Sequence, residues 1–145
     1  MISGGISPGG DVRLERLSRY DCWQLLSDVA GSDAIARIVW SGPDGMAIVP
    51  MNFTVADGII WFQTASDSSL ARESSDQKVL VEVDQIDPAS HTGWSVVVSG
   101  VATCLPSEQD PGLLGDLQVW PQGPRDLLLK VEPQELTGRR LHRHG

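Results

Sequence analysis

"ARIVWSGPDGMAIVPMNFTV", from Ala36 to Val55, sets two apolar, β-branched runs on either side of a Pro-Asp-Gly turn at residues 43–45. Proline presets the backbone for a turn, and aspartate and glycine tolerate the conformations that follow, so the runs are expected to fold back on each other as antiparallel strands. A second turn at Ala56-Asp57-Gly58 leads into "IIWFQTA", which extends the pair into a three-stranded meander. Pro50 lacks a ladder donor and belongs at a bulge or an unpaired position.

The same alternation continues downstream. In "KVLVEVDQID" (78–87), Val79, Val81 and Val83 alternate with Leu80, Glu82 and Asp84. "GWSVVVSG" (93–100) is a β-branched run between glycines that continues through "VATCL", and "RDLLLKVEP" (125–133) supplies a last strand. "SSLARESSDQ" suits a short helix or loop, and "SEQDPGLLGDLQVW" reads as a helix broken at Pro111 and Gly112. Upstream, Tyr20, Trp23, Leu25, Leu26 and Val29 fall close to helical spacing, with Ser18 or Asp21 as cap and Gly31 as stop. Six strands with short flanking helices and no βαβ repeat predict a mainly β fold, a small antiparallel barrel or sandwich, over residues 17–145. Residues 1–16, which open as "MISGGISPGG", are expected to form a flexible tail.

The 145 residues suit one domain, which can bury about two-thirds of its unfolded surface. Nineteen acidic against eleven basic residues give a net charge of −8, which opposes binding to a nucleic-acid backbone. Cys22 and Cys104 lie far from each other and lack metal-ligand spacing, so both are expected as reduced core thiols. No apolar run approaches the ~20 residues of a membrane helix, and the start lacks the pattern of a signal peptide. The expectation is a cytoplasmic protein that binds neither membrane nor nucleic acid.

Catalytic sets are scarce. His142 and His144 lie in the terminal basic cluster "GRRLHRHG", leaving His91 as the third histidine, and no HExxH, GxSxG, GxGxxG or P-loop spacing occurs. Alternation puts Glu82 and Asp84 on one strand face, where solvation is the simple expectation and nothing nearby in sequence suggests a raised pKa. The terminal cluster reads as a solvated tail, or as a cover for an anionic ligand or partner subunit. No protein acid, base or nucleophile is predicted, so redox chemistry would have to be carried by a bound cofactor.

Taken in order, "LSRYDCWQLL", "ARIVW", "IVPMNFTV", "IIWFQT", "VLVEVDQID", "GWSVVVSGVA" and the late "VW" followed by "LTGRRL" resemble the pyridoxamine 5′-phosphate oxidase-like family of FMN-binding split barrels. The similarity runs from Leu17 to Leu141. It implies a six-stranded antiparallel split β-barrel that forms a homodimer with FMN in a groove at the interface, acting as an oxidoreductase that passes hydride to or from a small organic molecule. Relatives that hold a deazaflavin imply a second cofactor option. By position, the resemblance makes Arg37, Pro50, Asn52, Gln63, Thr64, Ser69, Arg72, Trp94 and Ser95 cofactor-binding residues, with Trp94 packing on the flavin.

Two departures weaken the phosphate anchor that the resemblance implies. Gln63 stands where members usually carry a basic residue, and Ser69 where they often carry a lysine, with Asp67 added nearby. Each lost charge-assisted bond forfeits ~1.5–3 kcal/mol. Arg37, Arg72, the hydroxyls of Ser66, Ser68 and Ser69, the terminal arginines, or the amides of a helix opening near Ser68 could compensate. A split barrel that has lost its flavin and serves as a ligand-binding or interaction module is therefore the alternative.

Overall fold

The computed structural model describes residues 12–31, 34–106 and 126–143. In chain order these form β1 (Val12–Arg16), α1 (Arg19–Val29), β2 (Ile35–Gly42), β3 (Gly45–Asn52), β4 (Thr54–Ala56), β5 (Ile59–Thr64), α2 (Ser69–Ser74), β6 (Lys78–Asp87), β7 (Thr92–Pro106) and β8 (Leu127–Arg143). The fold is mainly β, as alternation implied, and all pairings are antiparallel. Eight strands form the sheet where six were expected. The additions are β1, which occupies part of the anticipated tail, and β4, which separates from β3 at Phe53. The helix expected in "SEQDPGLLGDLQVW" lies outside the described residues.

The β2–β3 hairpin forms around Pro43 and Asp44, with Gly42 opposite Gly45. The meander does not. The strand order is β3-β2-β6-β7-β8-β5-β4, with β1 also on β8, so the β2–β3 and β4–β5 hairpins end up at opposite edges of the curled sheet. Phe53, fully buried, marks the crossover between them. The Ala56-Asp57-Gly58 turn joins β4 and β5 as a hairpin and leaves β4 free of β3. Pro50 lies on the edge strand β3 opposite Arg37, where its missing N–H costs little.

Alternation fixes which face is inside. Ile38 and Trp40 on β2, Val79, Val81 and Val83 on β6, Trp94, Val96 and Val98 on β7, and Leu129 and Val131 on β8 share one core with Phe53, Ile60 and Phe62. Each fully buried side chain of this size contributes ~1.5–3 kcal/mol. α1 closes this core with Cys22 and Leu26, capped by Ser18, whose Oγ accepts from the Asp21 N–H at 3.0 Å. β7 and β8 are long, and the register shifts between Ser99 and Gly100. A side chain at Gly100 would run into the Glu132 carbonyl, so glycine permits this bend. β8 pairs with β5 over its first residues and with β1 over its last. The "GRRLHR" cluster is therefore strand, which replaces the expected solvated tail.

Candidate functional site

The outer face of the sheet carries the polar residues. On it, Arg37 of β2 lies opposite Glu82 of β6, and Glu82 lies opposite Val97 of β7. Asp84 lies opposite Ser95, Ser95 opposite Arg139, and Arg139 opposite Arg16. Arg37 Nη1 donates to Glu82 Oε1 at 2.9 Å and to Asp84 Oδ2 at 3.2 Å. Two carboxylates on one guanidinium leave a local excess of negative charge. Arg37 is thus already engaged, and is a poor anchor for a phosphate in this arrangement.

Burial pushes the Glu82 carboxyl up to about 7, and the hydrogen bond and charge of Asp84 push in the same direction; Arg37 opposes them only in part. The sequence expectation of a merely solvated pair is corrected here. The carboxylates are about one-third exposed, and Glu82 is a group that can exchange a proton near neutrality. The alternation of "LVEVD" placed both on one face, but the pairing with Arg37 depends on strand register, which sequence does not display.

Trp94 and Ser95 are split between faces. Trp94 is 9% exposed and belongs to the core, its edge reaching a shallow cavity beside Ile86 and Thr92. Ser95 lines an outer cavity of about 440 Å³ between β1, β7 and β8. Neighbouring residues on a strand point in opposite directions, so the pair cannot share one ligand surface. Gly93 is required for a reason of its own. Its φ is +152°, and a side chain there would strike the Gln85 carbonyl.

The other candidates gather at the far end of the sheet. Thr64, buried at the end of β5, shares a hydrogen bond of 3.0 Å with Ser68, whose Oγ also accepts from the Ala71 N–H to cap α2. Ser66 gives its N–H and hydroxyl to the Asp126 carboxylate, both at 2.8 Å, and this holds the Asp126 carboxyl below its usual range. Ser66 and Ser68 are therefore spent on the fold. Ser69 and Arg72 are exposed, three residues apart on α2, and neither has a partner among the described residues. Glu73 accepts from Trp40 Nε1 at 3.0 Å, which fastens α2 to β2. Gln63 is half-buried on β5 opposite Leu128.

Asn52 ends β3 buried, with Nδ2 donating to the Ala34 carbonyl at 3.4 Å and Oδ1 unpaired. Ala34 also lines a cavity of about 220 Å³ with Ile35, Arg37, Val83 and Asp84. Within one chain the nine residues fall into three groups, around Arg37 and Asn52, around Thr64 to Arg72, and around Ser95, while Trp94 supports the core. Among the described residues, no cluster of His, Cys, Asp and Glu could hold a metal, and no helix is long and apolar enough to cross a membrane. Cys22 and Cys104 are unpaired; burial pushes both thiols up, which suits packing rather than reactivity.

Residues 18–140 match the model of the pyridoxamine 5′-phosphate oxidase family. An uncharacterised protein of Mycobacterium tuberculosis is 34% identical over 141 residues, covering 93% of this chain and 90% of that protein. Among solved structures, the FAD-binding protein of Mycobacterium smegmatis is 30% identical with a TM-score of 0.67, covering 90% of this chain and all of the other. A FAD-binding protein from Mesorhizobium loti matches with a TM-score of 0.69 over 91% of this chain and 99% of that one; at 17% identity, this likeness concerns the fold.

Proposed function

We propose that this chain, which belongs to the pyridoxamine 5′-phosphate oxidase family, binds a flavin between two copies of itself and acts as an oxidoreductase on a small organic molecule. The observation that carries the reading is the outer face of the β3-β2-β6-β7 sheet. Ile48, Val39, Leu80 and Ser99 form one row across four strands. Ile48 is 60% and Leu80 41% exposed, Met46 stands beside them 70% exposed, and Ser99 Oγ is buried with no partner. Apolar side chains this open on a sheet face suit cover by a second copy. The cavities of about 220 and 440 Å³ bracket the lower limit of small-molecule sites, usually ~300–1,000 Å³, as expected if the partner completes a groove.

The residues present fit a flavin in part. Ser69 and Arg72 offer an uncommitted hydroxyl and cation for its phosphate. Arg37 takes the role of holding Glu82 and Asp84. A bound flavin would supply hydride chemistry; the chain would supply anchoring, shielding from water, and a carboxyl at Glu82 able to hold or release a proton. FMN is the first choice of cofactor, and the kinship with the FAD-binding protein of M. smegmatis supports a flavin. The deazaflavin option and the cofactor-free binding module are the competing outcomes.

The test is the visible spectrum of freshly purified protein, FMN titration, and light scattering. Bound yellow flavin or micromolar uptake, on a particle of twice the 15.7 kDa chain mass, is the expected result. A colourless monomer indifferent to millimolar FMN overturns the reading.

A further inference from the structure

Arg16 and Arg139 face each other directly across the β1–β8 pair. Like charges opposite each other on a sheet are destabilising, and an arginine cannot shed its charge. No carboxylate among the described residues pairs with either one. Asp84, the carboxylate in register with them beyond Ser95, is held by Arg37. Elsewhere on these strands Glu15 lies opposite Arg140 and within 3.9 Å of His142, and Arg13 lies opposite His142. Of these positions, Arg16 and Arg139 both line the outer cavity of about 440 Å³.

The remaining walls indicate what would balance it. Ser95 and Thr137 bring hydroxyls, while Leu17, Val97 and Leu136 bring apolar surface. Gly138 adds only backbone to the lining, because its side-chain direction is toward the core, within 2.7 Å of Cys22 Sγ. Two guanidiniums, two hydroxyls and an apolar wall suit a planar or tetrahedral anionic group attached to an apolar body. We infer that Arg16 and Arg139 form an anion-binding subsite that takes the carboxylate or phosphate of a small organic ligand. This subsite is separate from Ser69 and Arg72 and lies in a cavity that the flavin reading also uses, so it is tested with small anions in the absence of flavin.

The experiment is an amide-resolved NMR titration of the full chain with phenyl phosphate, benzoate and benzyl alcohol, paired with melting curves. Phenyl phosphate or benzoate should shift the amides of Arg16, Ser95 and Gly138 and raise the melting temperature; benzyl alcohol should do neither. Whichever anion binds more tightly identifies the group. Arg16→Gln and Arg139→Gln should each weaken binding about tenfold, and each should melt no lower than the parent in anion-free buffer, because repulsion is relieved. Lys78→Gln, at an exposed cation on β6 away from the cavity, should leave the titration unchanged. Equal binding by the parent and both glutamine variants, or shifts confined to α2 and lost in Arg72→Gln, overturns the subsite. A lower melting temperature in both variants with no anion response in the parent assigns the arginines to strand pairing alone.

Discussion

Arg37 holds Glu82 at 2.9 Å and Asp84 at 3.2 Å, so one guanidinium ties two carboxylates of the neighbouring strand. Burial and Asp84 raise Glu82 from 4.5 to about 7 in spite of the arginine. A folded-state pKa above the unfolded one means that this group's contribution is fully present below the unfolded carboxylate range and is lost as pH rises through about 7. The melting temperature of the parent should therefore fall, relative to Glu82→Gln, as pH climbs from 4.5 past neutrality. Parallel curves for the two proteins would mean that Glu82 titrates alike in the folded and unfolded chain.

Removing Arg37 tests the same arrangement from the other side. The guanidinium is about half exposed, so the pair contributes at most ~1 kcal/mol to stability. Arg37→Ala should cost little in melting temperature while shifting the Glu82 carboxyl, followed by carbon NMR, further upward. FMN uptake by this variant should fall less than uptake by Arg72→Ala, for which FMN but not riboflavin should weaken about tenfold. The reverse order would return Arg37 to the phosphate.

These roles mark where sequence reading succeeds and where it stops. Alternation in "KVLVEVDQID" and "GWSVVVSG" placed the core valines and the shared face of Glu82 and Asp84, because a period of two is local. The Ser18 cap and the Pro43–Asp44 turn are local in the same way. The partner of Arg37 is 45 residues away and depends on how β2 and β6 align, and the Arg16–Arg139 pair needs both ends of the described chain to meet. Val12–Arg16, counted with the tail, and the basic end lacked a local signal for strand, yet they supply each other's hydrogen bonds. The expected meander breaks at buried Phe53, between β3 and β4, because the two local turns fix each hairpin but not how the hairpins lie relative to each other.

Gly138 shows how tightly α1 seats on β8. A methyl group there would approach Cys22 Sγ to 2.7 Å, Leu17 Cδ1 to 3.2 Å and the Ser95 carbonyl to 3.1 Å. Overpacking of this kind costs ~1–3 kcal/mol, so Gly138→Ala should melt several degrees lower. Adding Cys22→Ala vacates the space of the sulfur and should recover part of the loss, giving a double-mutant coupling that independent sites would lack. Strict additivity would show that the strand shifts instead.

Trp94 and Ser95 allow the two faces of β7 to be separated in one experiment. Trp94 is packed with Val96, Val98 and the α1 side chains of the core, so Trp94→Ala should cost ~3–5 kcal/mol, enough to unfold much of a marginally stable domain. Trp94→Phe keeps most of the volume and should remain folded. Ser95 makes no side-chain bond among the described residues and looks outward, so Ser95→Ala should change the melting temperature by no more than ~0.5 kcal/mol equivalent. Its effect should appear in binding at the Arg16–Arg139 cavity. Chemical denaturation of the three variants, read alongside the phenyl phosphate titration, checks the division. If Trp94→Phe alters ligand binding while Ser95→Ala alters only stability, the assignment of faces is reversed, and the indole would have to turn outward when a ligand or second copy is present.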